Sequence, residues 1–210
     1  MEILPNLVIL LSSLSLLSLW VLHFVSPEFK PSWRMISEYA LGKYKWLITT
    51  FFYLWSVASI ILSVLLWSEV SSTWGKIGVI LVLISGIGAF MGGLFDLKHK
   101  NHGLAFLLGT PTLPIGALLV CYHLLSKQNW QIHETSILYS THSTWISFIL
   151  MAISMVVLMS GYKKTGLPMG PDVEPPKELP KGVIGVNGYF NRLLVFCYIL
   201  WLIVMANVIN

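Results

Sequence analysis

Six stretches of this chain are each long and apolar enough to cross a lipid bilayer, and that property limits most of what it can fold into. They run approximately from Leu7 to Val25, Trp46 to Trp67, Ile77 to Phe95, Leu104 to Leu125, Ile137 to Ser160 and Tyr189 to Val208. A helix needs roughly 20 mostly apolar residues to span a hydrocarbon core about 30 Å thick. Within that core each backbone N–H and C=O must be satisfied by the protein itself, so spans of this length are helices. The expected fold is all-α: a polytopic membrane protein, a six-transmembrane-helix bundle, forming one domain over residues 1–210. The first stretch reads as a span rather than a signal peptide, because only Glu2 precedes it as a charge and no small-residue cleavage site follows.

Composition fits that solvent. The chain is 56% hydrophobic and only 10% charged, with a mean hydropathy of +0.77, whereas a soluble domain carries about 25% charged residues. Nine Trp and eight Tyr, many near the ends of the apolar runs, suit the headgroup level of a bilayer. No basic stripe or RNA-binding motif accompanies the net charge of +4, so nucleic acid is set aside as a partner and membrane lipids are expected instead. The positive charge is a loop bias. Lys30, Arg34, Lys43, Lys45, Lys98, Lys100, Lys163, Lys164, Lys177 and Lys181 fall in the first, third and fifth loops, against Lys76 and Lys127 in the second and fourth. The positive-inside rule then predicts a cell-membrane protein with its odd-numbered loops in the cytoplasm and both termini outside.

The spans carry packing signals. Gly88 and Gly92 form a small-xxx-small pair on the third, and with Gly78, Gly86 and Gly93 they predict close approach of a neighbouring helix. Ser140, Ser143, Thr144, Ser147 and Ser154 share one side of the fifth and predict an interhelical hydrogen-bonding face. Pro111 and Pro114 predict a kink in the fourth, whose freed carbonyls must find donors in the bundle. The loop 161–188 contains Pro168, Pro171, Pro175, Pro176 and Pro180 and reads as an extended linker. Cys121 and Cys197 lie at different depths, which argues against a disulfide.

Chemistry concentrates at the odd-numbered loops. The first, 26–45, mixes Pro, Trp and Tyr with charges and is expected to lie in the interface and fold back over the bundle mouth. The third reads Phe95-Asp96-Leu97-Lys98-His99-Lys100-Asn101-His102-Gly103. The sixth span opens Gly188-Tyr189-Phe190-Asn191-Arg192, which buries a cation about one turn in. Such an arginine must be paired or face a wet cavity. Two readings follow. In one, Arg192 forms a salt bridge with Glu38 or Asp96 that clamps the first loop. In the other, Ser37, Glu38, Asp96 and His102 are catalytic and Tyr39, His99, Asn191 and Arg192 bind ligand, with His23 at the rim. Asp96, His99 and His102 are also candidate metal ligands, which Glu38 would complete, although D-x-x-H-x-x-H in a loop is a loose pattern. Ser37 activated by His99 or His102 and oriented by Asp96 would make a nucleophilic site. Haem held by His123 and His142 is improbable. No cofactor is specified.

These residues carry a resemblance. The string Ser37-Glu38-Tyr39-Ala40-Leu41-Gly42, the glycine-rich third span ending in Phe95-Asp96, His102-Gly103, and Gly188 to Arg192 before an apolar span with Trp201 are together similar to the bacterial and archaeal six-span family called domain of unknown function 998. The resemblance covers nearly the whole chain. It implies a six-helix bundle with polar residues at one mouth, and no reaction. A more distant likeness is to membrane hydrolases related to alkaline ceramidases, which have seven spans and a paired-histidine motif on the last helix that this chain lacks. Three functions remain open: binding of a lipid or other hydrophobic, amphipathic small molecule at the Glu/Asp/His/Arg cluster, lipid-directed hydrolysis or group transfer by the same cluster, and transport. Neither enzymatic activity nor oligomeric state is specified by the sequence.

Overall fold

The computed structural model describes residues 3–166, 173, 176 and 178–210. Among the described residues are seven α-helices, two short 3₁₀ helices and no strand. The helices are α1 (Ile3–Val25), α2 (Lys45–Glu69), α3 (Thr73–Leu94), α4 (His102–Gly109), α5 (Thr112–Leu125), α6 (Glu134–Thr165) and α7 (Asn187–Ile209). With α4 and α5 as two halves of one span, six segments are long and apolar enough to cross a membrane. The helices overrun the apolar stretches because their end turns are polar. Ser72 Oγ accepts from Gly75 N–H to start α3, and Gly166, at a φ of 69°, ends α6 beyond Lys163 and Lys164. Of the residues read as a linker, Pro168, Pro171, Pro175 and Lys177 lie outside the described residues. Leu179 and Val183 pack back onto Leu158 and Tyr162 of α6.

The connections gather into two faces. Ser32 of the first loop accepts from the N–H groups of Gly188 and Tyr189, which joins that loop to the start of α7. Ser37 shares a cavity with Leu97 and His102 of the third loop and α4. At the opposite face His123 Nε2 accepts from Ser71 N–H at 3.2 Å, and its Nδ1 lies 2.9 Å from Ser72 Oγ. The two lysines of that face have local work: Lys76 and Lys127 donate to the Trp67 and Glu69 carbonyls at the C-terminus of α2, where a cation opposes the helix dipole. Exposed aromatic rings mark both ends, Trp46 and Tyr189 at one and Trp67, Trp74, Tyr122 and Tyr139 at the other.

Glycine decides how closely α3 meets its neighbours. A Cβ on Gly88 would stand 2.2 Å from the Gly109 nitrogen of α4, and one on Gly116 of α5 would stand 2.7 Å from the Gly78 carbonyl oxygen. The pair read from sequence therefore separates: Gly88 meets Gly109, whereas Gly92 makes room for the Phe52 ring. The fourth span breaks where proline predicts. Pro111 caps α5 and Pro114 sits in its first turn, where no intrahelical N–H is needed. Three carbonyls at the break find donors: Leu108 from Thr112 Oγ1, Gly109 from Ser85 Oγ at 2.6 Å, and Thr110 from the Tyr198 hydroxyl at 2.6 Å.

The hydroxyls of α6 depart from expectation. Ser140, Ser143, Thr144, Ser147 and Ser154 donate to carbonyls of their own helix, three or four residues back. A hydroxyl in an apolar wall is satisfied most cheaply by the nearest backbone oxygen, so this side is a smooth seat rather than a bonding face. The link to α7 comes instead from Thr141, whose Oγ1 accepts from Trp201 Nε1 at 3.0 Å. Cys121 and Cys197 are buried free thiols.

Because Gly88 meets backbone rather than a movable side chain, Gly88→Ala should destabilise the bundle by about 1–3 kcal/mol, the usual cost of overpacking. Gly103→Ala, with nothing within 4 Å of the new methyl, should be neutral or mildly stabilising. Thermal unfolding in detergent, followed by helical circular dichroism, separates the two.

Candidate functional site

The first loop is built around its own charges. A 3₁₀ helix from Ile36 to Leu41 places Glu38 four residues after Arg34, and their side chains meet at 2.5 Å with each about nine-tenths buried. Glu38 Oε1 also accepts from Met35 N–H at 2.8 Å, which closes the turn. Burial pushes the Glu38 carboxyl above its ordinary range, while the Met35 N–H and the charges of Arg34 and Arg192 draw it back. Around the pair the loop is packed: the Arg34 guanidinium lies 4.7 Å from the Trp33 ring centre, Phe29 packs on Tyr39, and Trp33, Ile36 and Tyr39 are all buried. The loop does fold back over the bundle, with its large side chains turned inward.

Arg192 is the hub of this face, and its partners are neutral. Its Nε donates to His23 Nε2 at 2.6 Å, and Nη1 to the carbonyls of Arg34 (2.6 Å), Gly188 (3.0 Å) and Pro31 (3.2 Å). Its Nη2 donates to the Tyr39 hydroxyl at 3.1 Å. His23 accepts at Nε2 and so carries its proton on Nδ1, which donates to the Leu19 carbonyl at 2.7 Å. The salt bridge expected between Arg192 and Glu38 or Asp96 is absent; Arg34–Glu38 is the one ion pair among the described residues. Glu38 is already held by Arg34, four residues away, and the backbone of an irregular loop offers acceptors within hydrogen-bond reach of Arg192. Gly188 permits this approach, since a Cβ there would stand 2.4 Å from the Pro31 oxygen.

The third loop uses its polar groups on its own turn. Asp96 Oδ1 accepts from Lys98 N–H at 3.0 Å, His99 Nδ1 accepts from Asn101 N–H at 3.1 Å while its ring stacks 4.2 Å from Phe95, and His102 Nδ1 lies 3.0 Å from the Phe95 carbonyl. The candidate ligands Asp96, His99 and His102 are not gathered into a metal shell: no group of three or more His, Cys, Asp or Glu side chains stands ready for a metal among the described residues. The spacing that resembled ligands belongs to a hydrogen-bonded reversal between α3 and α4. His123 is tied to the α2–α3 loop, and His142 accepts from Trp145 Nε1 at 2.7 Å and reaches the Tyr122 hydroxyl at 3.3 Å, so both imidazoles are held locally.

Between these elements lies a cavity of about 560 Å³. Its wall is largely apolar, with Phe52, Phe106, Phe148, Met151 and Leu194 among its residues, and Ser37, His102 and Asn191 reach it from the loop face. Asn191 is committed structurally, because its Oδ1 accepts from Ile36 N–H at 2.9 Å. With Nδ1 on a carbonyl, His102 Nε2 has no protein partner among the described residues, and neither has the Ser37 hydroxyl. The sequence-read cluster thus divides. Ser37, His102 and Asn191 join the cavity, while Tyr39 and Arg192 join His23 on the neighbouring side of α7. Glu38 is closed off by Arg34, and Asp96 and His99 remain in their turn.

A family model described as "Protein of unknown function (DUF998)" matches residues 9–208, nearly the whole chain, with the polar face just described inside the match. The chain belongs to this family. No curated protein and no solved structure matches it. Sequence reasoning about this DUF998 chain passed over two participants: Arg34, counted only as a topological charge, and His23 as the direct partner of Arg192. A signal existed for both. Arg34 and Glu38 have the i, i+4 spacing of a helical ion pair, and His23 lies near the end of the first apolar stretch as Arg192 lies near the start of the sixth.

The two acids should behave differently. Glu38→Ala leaves the Arg34 guanidinium buried without its partner and should cost about 3–5 kcal/mol, most of it recovered when Arg34→Met is added. Asp96→Ala, in an exposed turn, should stay within about 0.5 kcal/mol. Reversible unfolding in mixed micelles measures all of these variants.

Proposed function

We propose that this protein binds an amphipathic, lipid-like molecule in the cavity beside α4 and α6, its apolar part among the aromatic and aliphatic side chains and its polar end against Ser37 and His102. The observation that carries this reading is a largely apolar cavity of about 560 Å³ with the uncommitted polar groups of Ser37 and His102 at its loop end. That volume falls within the roughly 300–1,000 Å³ of small-molecule sites. Helix packing supports it: α4 packs mainly on α3, and α6 on α5 and α7, while α4 and α6 both line the space. Phe106, in a span and 44% exposed, stands at the rim and brings the cavity to the lipid. Arg192 is not part of this site; it holds the first loop, and through it Ser37, in place.

Filling the space tests the idea. Mass spectrometry of lipids and small amphiphiles retained by the purified protein should show one species strongly depleted in Ala152→Trp, which projects into the cavity, and unchanged in Val157→Trp elsewhere on α6. His102→Ala and Ser37→Ala should each weaken retention about five- to tenfold, the effect of one lost hydrogen bond. If Ala152→Trp retained the same molecules in the same amounts as the parent, the cavity would not be the binding site.

We further place the odd-numbered loops in the cytoplasm, on the strength of the lysine and arginine bias alone. With both native cysteines buried, a membrane-impermeant maleimide added to intact cells should label Gln128→Cys and spare Lys43→Cys. The reverse pattern would invert the orientation.

A further inference from the structure

A second concavity lies on the neighbouring side of α7, and the charge around it is unbalanced. α1 and α7 form a groove of about 430 Å³ lined by Leu16, Leu19, Trp20, His23, Arg192 and Phe196. Three charged side chains, Arg34, Glu38 and Arg192, are packed together near the end of the groove at the first loop. Arg34 and Glu38 neutralise one another at 2.5 Å. Arg192 leaves this cluster with a net positive charge, because all of its acceptors among the described residues are neutral: one imidazole, three carbonyls and one phenol. A guanidinium has five N–H donors. One N–H on Nη2 has no protein acceptor among the described residues, while the side chain lines the groove.

We infer that the α1–α7 groove is a site for an anionic phospholipid of the leaflet bordering the first loop, its phosphate on Arg192 and one acyl chain along Leu16, Trp20 and Phe196. The charge argument selects the class. A cation within a span must be compensated or reach the interface, and among the described residues no carboxylate bonds Arg192, while the charge of Glu38 is matched by Arg34. A phosphate oxygen takes a charge-assisted hydrogen bond from the remaining Nη2–H. Depth agrees: Arg192 is one turn inside α7, and exposed Trp20, one turn before His23, sits where indole rings lie at the headgroup level. The lower part of the groove is open to hydrocarbon, since Leu17 and Phe196 are exposed on the same surface. His23 accepts from Nε, so the imidazole is neutral and does not compete with the lipid for charge. The inference does not rest on the cavity beside α4 and α6, and either site can fail without the other.

The test uses the full chain in nanodiscs of phosphatidylcholine with an equal share of phosphatidylglycerol, the bound lipid being read by native mass spectrometry after transfer to detergent. Retention of phosphatidylglycerol should exceed that of phosphatidylcholine about tenfold, the effect of one hydrogen bond to a charged group. Arg192→Gln should bring the ratio to about one. That variant also loosens the first loop and could unfold, so Leu17→Trp, at an exposed position that keeps Arg192 and the loop intact, provides the independent arm and should lower the ratio at least as far as threefold. Equal retention of the two lipids by the parent protein overturns the inference. So does a preference that survives Leu17→Trp, because the lipid would then bind elsewhere. Displacement of phosphatidylglycerol by millimolar inorganic phosphate would also overturn it, by making the site one for a free anion.

Discussion

The hydrogen bonds of Arg192 hold together three parts of the chain that are far apart in sequence: the end of α1 through His23, the first loop through Pro31, Arg34 and Tyr39, and the start of α7 through Gly188. The physical reason lies in the backbone rather than in the charge. A loop that doubles back into the bundle leaves carbonyls without a helix or sheet to receive them, and near the hydrocarbon no water replaces those bonds. A guanidinium supplies several donors in one plane, which no lysine does. Arg192 therefore meets two needs at once, acceptors for its own N–H groups and donors for an irregular backbone, and the first loop is fixed over the bundle as a result.

The same arrangement recurs wherever the helical ladder is interrupted. At the break between α4 and α5, Ser85, Thr112 and Tyr198 supply the carbonyls of Gly109, Leu108 and Thr110. At the C-terminus of α2, Lys76 and Lys127 supply those of Trp67 and Glu69. In the third loop, Asp96 and His99 receive backbone N–H groups, and His102 meets a carbonyl. These polar side chains are thus committed to the backbone, and where the bond is buried, as at Ser85 and Tyr198, it avoids an unsatisfied group costing about 1–3 kcal/mol. Glu38, Asp96 and His99, which look like parts of one site in sequence, are in the folded chain tied to their own loops.

That pattern explains what could be read from the sequence and what could not. The six spans follow from hydropathy over long windows, and the break in the fourth follows from Pro111 and Pro114, because both depend on local chemistry. Which loops share a face follows from simple alternation of antiparallel spans. The partners of Arg192 do not follow, since a reader of sequence matches a cation with acids, and carbonyls have no letter. The α6 hydroxyls fail for a related reason: their spacing is that of a face, yet at Ser140, Ser143, Thr144, Ser147 and Ser154 the carbonyl three or four residues back takes the bond. Gly88 was legible as a point of close approach, but its counterpart Gly109 follows only once the break has set the rotation of α4 against α3.

Setting aside the groups tied to backbone or to one another sharpens the functional argument. Among the described residues, the Ser37 hydroxyl, His102 Nε2 and Trp55 Nε1 have no protein partner, and all three side chains line the same cavity. Trp55 is 4% exposed and lies well inside α2, so its free indole N–H is deep, while Ser37 and His102 stand at the loop end. A buried donor without an acceptor is costly unless something fills the space beside it. An occupant that is apolar along most of its length, polar at one end and able to accept one bond further in would satisfy these three groups together. The break at Pro111 borders this space, with α4 packed on α3 where Gly109 meets Gly88 and α6 forming the facing wall.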